Sequence, residues 1–103
     1  MKLNQGDIIK IDGIPTPVFV ASTKLFNEHE MILGCPILKS GQRNAFHYPF
    51  TFAKGHGIVY CEQIRYFDLK SRHFSYYSCA ELRDCMEIVD TIQGFFEYSI
   101  GLV

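Results

Sequence analysis

Gly6-Asp7-Ile8-Ile9-Lys10-Ile11-Asp12-Gly13-Ile14-Pro15-Thr16-Pro17-Val18-Phe19-Val20-Ala21 is the stretch that decides the fold class. Its first half is rich in β-branched residues and alternates apolar with polar toward Asp12, the pattern of a strand. Gly13 marks a turn, and Pro15 and Pro17 hold Thr16 in extended or edge backbone, because proline donates nothing to a ladder. Val18 to Ala21 then reads as a second strand.

The same pattern continues outward. Thr23 to Glu30 is polar and reads as a loop or one short helical turn. Met31-Ile32-Leu33-Gly34-Cys35-Pro36-Ile37-Leu38 is continuously apolar and predicts a buried central strand ending near Pro36. Lys39 to Asn44 is a polar loop with a turn glycine. Tyr48 to Phe52 is a short strand, Lys54-Gly55-His56-Gly57 a tight turn, Ile58 to Asp68 the longest strand candidate and Arg72 to Tyr77 the last. Ser78-Cys79-Ala80-Glu81 has the spacing of a capping box. Leu82, Cys85, Met86, Val89, Ile92 and Phe96 follow at helical spacing as one apolar stripe. That stripe reads as a core face closing one side of a sheet, or as a groove for a partner helix. Short strands at close spacing followed by one helix predict a mainly β, α+β architecture: a small antiparallel barrel with a C-terminal helix.

The 103 residues are expected to form a single domain, 1–103. Hydrophobic residues make up 48% of the chain, which excludes a disordered polyampholyte, and the net charge of −1 gives no global attraction to nucleic acid or membrane. The charge is uneven, however. Lys39, Arg43, Lys54, Arg65, Lys70 and Arg72 crowd the middle against Glu62 and Asp68, with His47, His56 and His73 among them. The C-terminal segment holds Glu81, Asp84, Glu87, Asp90 and Glu97 against Arg83. A basic middle suits a polyanion; a random surface scatter is the alternative. Cys35, Cys61, Cys79 and Cys85 form no CxxC pair and no zinc spacing, so buried reduced thiols are expected at Cys35 and Cys61, and no metal or other cofactor is expected. Met1 leads almost directly into a strand and no run has the length of a membrane span, which predicts a cytoplasmic protein.

Several segments together resemble the MazF/PemK family of bacterial toxin endoribonucleases. Gly6 to Asp12 resembles the family's Gly-Asp-apolar first strand, and Pro17-Val18-Phe19-Val20-Ala21-Ser22 its second. Cys35-Pro36-Ile37 resembles the end of its third, and Tyr48-Pro49-Phe50 matches a characteristic triplet. Cys61 to Arg72 resembles the Asp-Gln-apolar-basic motif and the Asp-x-x-x-Arg that follows it. The resemblance implies an SH3-like barrel of the MazF/PemK, CcdB-like type. It also implies a homodimer, a toxin–antitoxin setting with an antitoxin bearing an acidic tail, and single-stranded RNA as substrate.

Family members cleave RNA without metal, with an arginine before the second-strand proline and a threonine after the third-strand Pro-apolar pair. Here those positions are Thr16 and Leu38, the loop between the first strands shrinks to Gly13-Ile14-Pro15, and the motif's Asp becomes Glu62. The departures predict weakened or lost cleavage, since a missing transition-state charge contact costs about 2.7–4 kcal/mol. His47, Arg43 and Glu62 are the candidates to substitute catalytically, while Lys39, Arg43, Tyr48 and Arg65 are candidates to hold RNA. The bland alternatives are a solvated loop histidine, solubilising loop cations, rim packing by Tyr48, and a surface ion pair between Glu62 and Arg65. Two other functional classes stay open. One is a non-catalytic module that binds RNA or antitoxin; the other is a poison of a protein such as DNA gyrase, on fold analogy with CcdB toxins.

Overall fold

The computed structural model describes residues 2–97 and Gly101. Strands β1 (Asp7–Ile11), β2 (Val18–Val20) and β3 (Met31–Leu38) follow one another, with a short helix α1 (Lys24–Asn27) before β3. Then come β4 (His47–Phe52), β5 (Gly55–Tyr60), a 3-10 turn (Cys61–Gln63), β6 (Arg65–Asp68), β7 (Phe74–Cys79) and helix α2 (Leu82–Gly94). The strands form one curled sheet in the order β4-β5-β3-β2-β1-β7, with β6 also on β3 and all these pairings antiparallel.

Both faces of the sheet are covered, which explains why β1, β2 and β3 read as runs rather than as strict alternation. On one face Ile8, Phe19, Cys35, Ile37, Phe50 and Val59 pack under α2, which contributes Cys85, Ile88 and Ile92. On the other, Ile9, Ile11, Val18, Val20 and Ile32 pack with Leu3, Phe67 and Leu69. Cys35 and Cys61 are buried free thiols, as expected. Burial pushes Cys35 up to about 12 and Cys61 up to about 11, so neither forms a thiolate near neutrality.

Several expectations are corrected. The strand expected over Ile58 to Asp68 breaks at the 3-10 turn, because β5 and β6 both pair along the same edge of β3 and the chain must step between them. Strand β3 runs through Pro36 to Leu38. Ile37 donates its N–H to Pro17 O on the β2 edge, so Pro36 presents its missing N–H to the opposite edge, in the gap between Gly34↔Arg65 and Ile37↔Val59. The turn expected over Lys54 to Gly57 narrows to Ala53 and Lys54, since Phe52 stands opposite Gly55. The last strand is Phe74–Cys79 rather than Arg72 to Tyr77.

The capping box does not form. Ser78 is buried in β7 opposite Ile8, and the Ala80 N–H donates to Gly6 O, so residues 78–80 belong to the sheet. Glu81 becomes the N-cap without a side-chain bond. The buried Asp84 in the first turn places its charge at the positive end of the helix. The apolar stripe is rotated accordingly: Ile88 is fully buried, whereas Leu82, Met86 and Phe96 are exposed.

Candidate functional site

The two positions where the sequence departs from the MazF/PemK pattern lie at adjoining strand ends, Thr16 just before β2 and Leu38 at the end of β3. Val18 stands opposite Pro36, and the Ile37 N–H donates to Pro17 O at 2.9 Å, so Thr16, in the bend that leads into β2, lies just beyond the paired residues at the Leu38 end of β3. Leu38 is opposite Ile58, and Ile58 is opposite Pro49. Cross-strand partners share a face. One face of the sheet therefore carries an uncharged row, Leu38, Ile58 and Pro49, with Thr16 near its end just before β2.

Beside this row lies a hollow of about 320 Å³ lined by Pro49, Ile58, Thr51, Lys39, Arg43 and His56. The β4–β5 register sets Thr51 opposite His56, one step along the same face from Pro49 and Ile58. Two glycines make the hollow possible. A Cβ on Gly57 would stand 2.5 Å from Ile37 Cγ2 and 3.2 Å from Leu38 O, so only glycine lets β5 lie this close to the end of β3. A Cβ on Gly41 (φ 151°) would collide with the Tyr60 hydroxyl, so glycine lets the loop carrying Lys39 and Arg43 press against the sheet. Lys39, Arg43 and His56 are all exposed, and neither of the ion pairs found among the described residues involves them. The hollow is thus a concave surface with two cations, Lys39 and Arg43, and no carboxylate among its lining residues, a form that accepts a phosphate or a carboxylate.

The other sequence candidates stand apart from it. His47 and Glu62 form an ion pair at 2.9 Å, Nε2 to Oε2, and the His47 side chain is only 6% exposed. Its Nδ1 bonds to the Gln42 carbonyl, and its ring stacks on Tyr60 at 3.7 Å between centroids. Both partners are acceptors, so both ring nitrogens must donate, which is the imidazolium form. The histidine is accordingly held above its ordinary value of 6.5, by the Gln42 carbonyl first and by Glu62 second. Glu62 therefore pairs with His47; the ion pair expected with Arg65 is not found among the described residues.

Tyr48 donates its hydroxyl to Asp84 Oδ1 at 2.7 Å and fastens β4 to the start of α2. Burial, then the Asp84 hydrogen bond, pushes its phenol up to about 12. Arg65 projects its guanidinium over Phe67, 5.2 Å from the ring centroid. It lines a separate, apolar groove of about 490 Å³ between β6, α1 and the end of α2, among Phe26, Ile64, Val89 and Phe96. The structure thus brings Lys39 and Arg43 together, adds His56 and Thr51, and leaves His47, Glu62, Tyr48 and Arg65 elsewhere. His56 and Thr51 were missed by sequence reasoning. The available signal was the alternation of His56 with Ile58, which a two-residue hairpin turn would have exposed.

The family model described as PemK-like, MazF-like toxin of type II toxin–antitoxin system matches residues 4–96. Among solved structures, MazE-MazF (Form-I) from Deinococcus radiodurans superposes with a TM-score of 0.82 at 16% identity, covering 92% of this chain and 96% of that one. Form-II of the same complex gives 0.82 at 17% identity, with 96% and 99% covered. An endoribonuclease in complex with its cognate antitoxin from a mycobacterial species gives 0.72 at 12% identity, covering 94% of this chain and 99% of that one. No curated protein matches the chain. Among the described residues no helix is long and apolar enough to cross a membrane. With the curled antiparallel sheet and its closing helix, the match over nearly the whole chain establishes that the protein belongs to the PemK-like, MazF-like toxins of type II toxin–antitoxin systems.

Proposed function

We propose that this family member binds single-stranded RNA in the hollow formed by Lys39, Arg43, Thr51 and His56, with metal-independent cleavage weakened or lost. One observation carries this: the row of Leu38, Ile58 and Pro49, with Thr16 near its end, holds no charge, while Lys39 and Arg43 beside it have no carboxylate partner among the described residues. Arg43 offers a planar fork for two phosphate oxygens, Lys39 a mobile point charge, and Thr51 a hydroxyl that can donate or accept. Cleavage by a 2'-hydroxyl needs two proton transfers and stabilisation of a pentavalent phosphorane. Thr16 supplies no charge for that step, and Leu38 supplies no hydrogen bond.

Incubation of the purified protein with a long single-stranded RNA and a chelator tests the role. Binding with few or no fragments ending in 2',3'-cyclic phosphate is expected, and absence of binding would refute it. A relocated catalytic centre is the second reading, favoured by His56 lying in the same hollow as Arg43. Cleavage abolished by His56→Ala and Arg43→Ala, but untouched by His47→Ala, would select it.

The proposed partners are a cognate antitoxin, whose acidic tail would compete with RNA for the same cations, and a second copy of the chain. Charge complementarity supports the first and family kinship both. A cytoplasmic location fits that role.

A further inference from the structure

The hairpin carrying His56 has a second basic hollow on its other side. It also measures about 320 Å³ and is lined by Pro17, Ile37, Phe52, Lys54 and Tyr77, with Lys39 and His56 shared between the two. Tyr77 stands there because β7 contains one residue more than its partner. Ile8 faces Ser78 while Ile9 faces Tyr76, leaving Tyr77 as the inserted residue of a bulge. A bulge re-aims a side chain, and here it leaves the Tyr77 ring edge-on to Phe52 at 6.3 Å. Two ammonium groups address that one ring: Lys10 Nζ lies 4.3 Å from its centroid and Lys54 Nζ 5.2 Å. A cation over an aromatic face is a weak attraction at an exposed site, and one cation suffices for it. A second ammonium on the same ring, with Lys39 adjoining, adds like-charge repulsion that no carboxylate relieves: none lines the hollow, and neither of the ion pairs found among the described residues involves these lysines.

Resting on the RNA-binding role proposed above, we infer that this hollow is a second nucleotide subsite. It takes the next phosphates of a single strand between Lys10 and Lys54 and a base against Tyr77. Lys39 and His56 line both hollows, so a strand leaving the first across them enters the second. An aromatic ring set between cations suits a nucleotide, with its flat base and its phosphate, better than an acidic peptide, which needs the charges alone.

The test measures anisotropy of labelled oligouridylates of about 4 and about 12 nucleotides over a range of salt concentrations, lengths spanning one short and one long site. Lys10→Gln/Lys54→Gln is expected to leave the short strand's affinity unchanged and to weaken the long strand roughly tenfold. Its salt slope should flatten by about 1.4, the loss of two phosphate contacts on a single strand. Tyr77→Phe should bind as the parent and Tyr77→Leu more weakly on the long strand. Arg43→Gln should weaken both lengths. Wild-type affinity of Lys10→Gln/Lys54→Gln for the long strand, alongside a weakened Arg43→Gln, would overturn the second subsite alone. No binding of either length by the parent protein would overturn the RNA-binding role and the subsite with it. Displacement of a bound polyglutamate by neither strand would assign the cations to an acidic peptide and overturn the inference.

Discussion

His47 and His56 stand on paired strands of one hairpin and live in opposite electrostatic surroundings. His47 is covered, stacked on Tyr60, and bonded at both nitrogens to acceptors, one of them the Glu62 carboxylate. His56 is exposed and shares its hollow with Lys39 and Arg43. In the first corner every charge has its partner, and the result is a fixed loop base. In the second the Lys39 and Arg43 charges have no partner among the described residues, and the surface is left to be completed by a ligand.

The comparison can be broken from either side. Lys39→Gln/Arg43→Gln should lower affinity for single-stranded RNA roughly ten- to a hundredfold and flatten its salt dependence, with stability changed by less than about 0.5 kcal/mol. Equal affinities, measured by anisotropy, would remove the functional half of the contrast. Tyr48→Phe should do the reverse. It strips the buried Asp84 of its donor, which costs about 1–3 kcal/mol and several degrees in a melting curve, while RNA affinity stays at the parent value.

A smaller and more specific effect is expected at Glu62→Gln. His47 is raised above 6.5 in the folded protein, so its stabilising contribution is complete below that pH and is lost as pH rises through the folded value. The variant should therefore melt lower than the parent at mildly acidic pH and converge with it at alkaline pH. A pH-independent gap would mean that the His47 charge is not what the pair stabilises. Smallest of all, His56→Gln should leave melting unchanged and weaken RNA binding by less than the Lys39/Arg43 double substitution.

Much of the fold is legible in the sequence, and for a clear reason. The strands β1 to β3 are buried on both faces, so their apolar runs stand out wherever they are read. The helix start was not legible, because Ser78 and Glu81 have the capping spacing, but the backbone at Ala80 is already bonded to Gly6. Local chemistry lost there to a long-range ladder. The candidate site was legible in part: Lys39 and Arg43 share a polar loop and do share a hollow. His56 was hidden because the glycines flanking it read as turn residues, whereas Gly57 lies in a strand to permit close approach to Ile37 and Leu38. The pairing of His47 with Glu62 spans 15 residues and depends on the 3-10 turn that interrupts the expected strand, so no local pattern announces it.

The most direct test of the contrast follows the histidine ring resonances by NMR while a single-stranded oligouridylate is titrated into the protein. The His56 signals are expected to shift with added RNA while those of His47 stay in place. Movement of His47 with His56 unperturbed would contradict the account, because the strand would then be held by the corner whose charges are already matched.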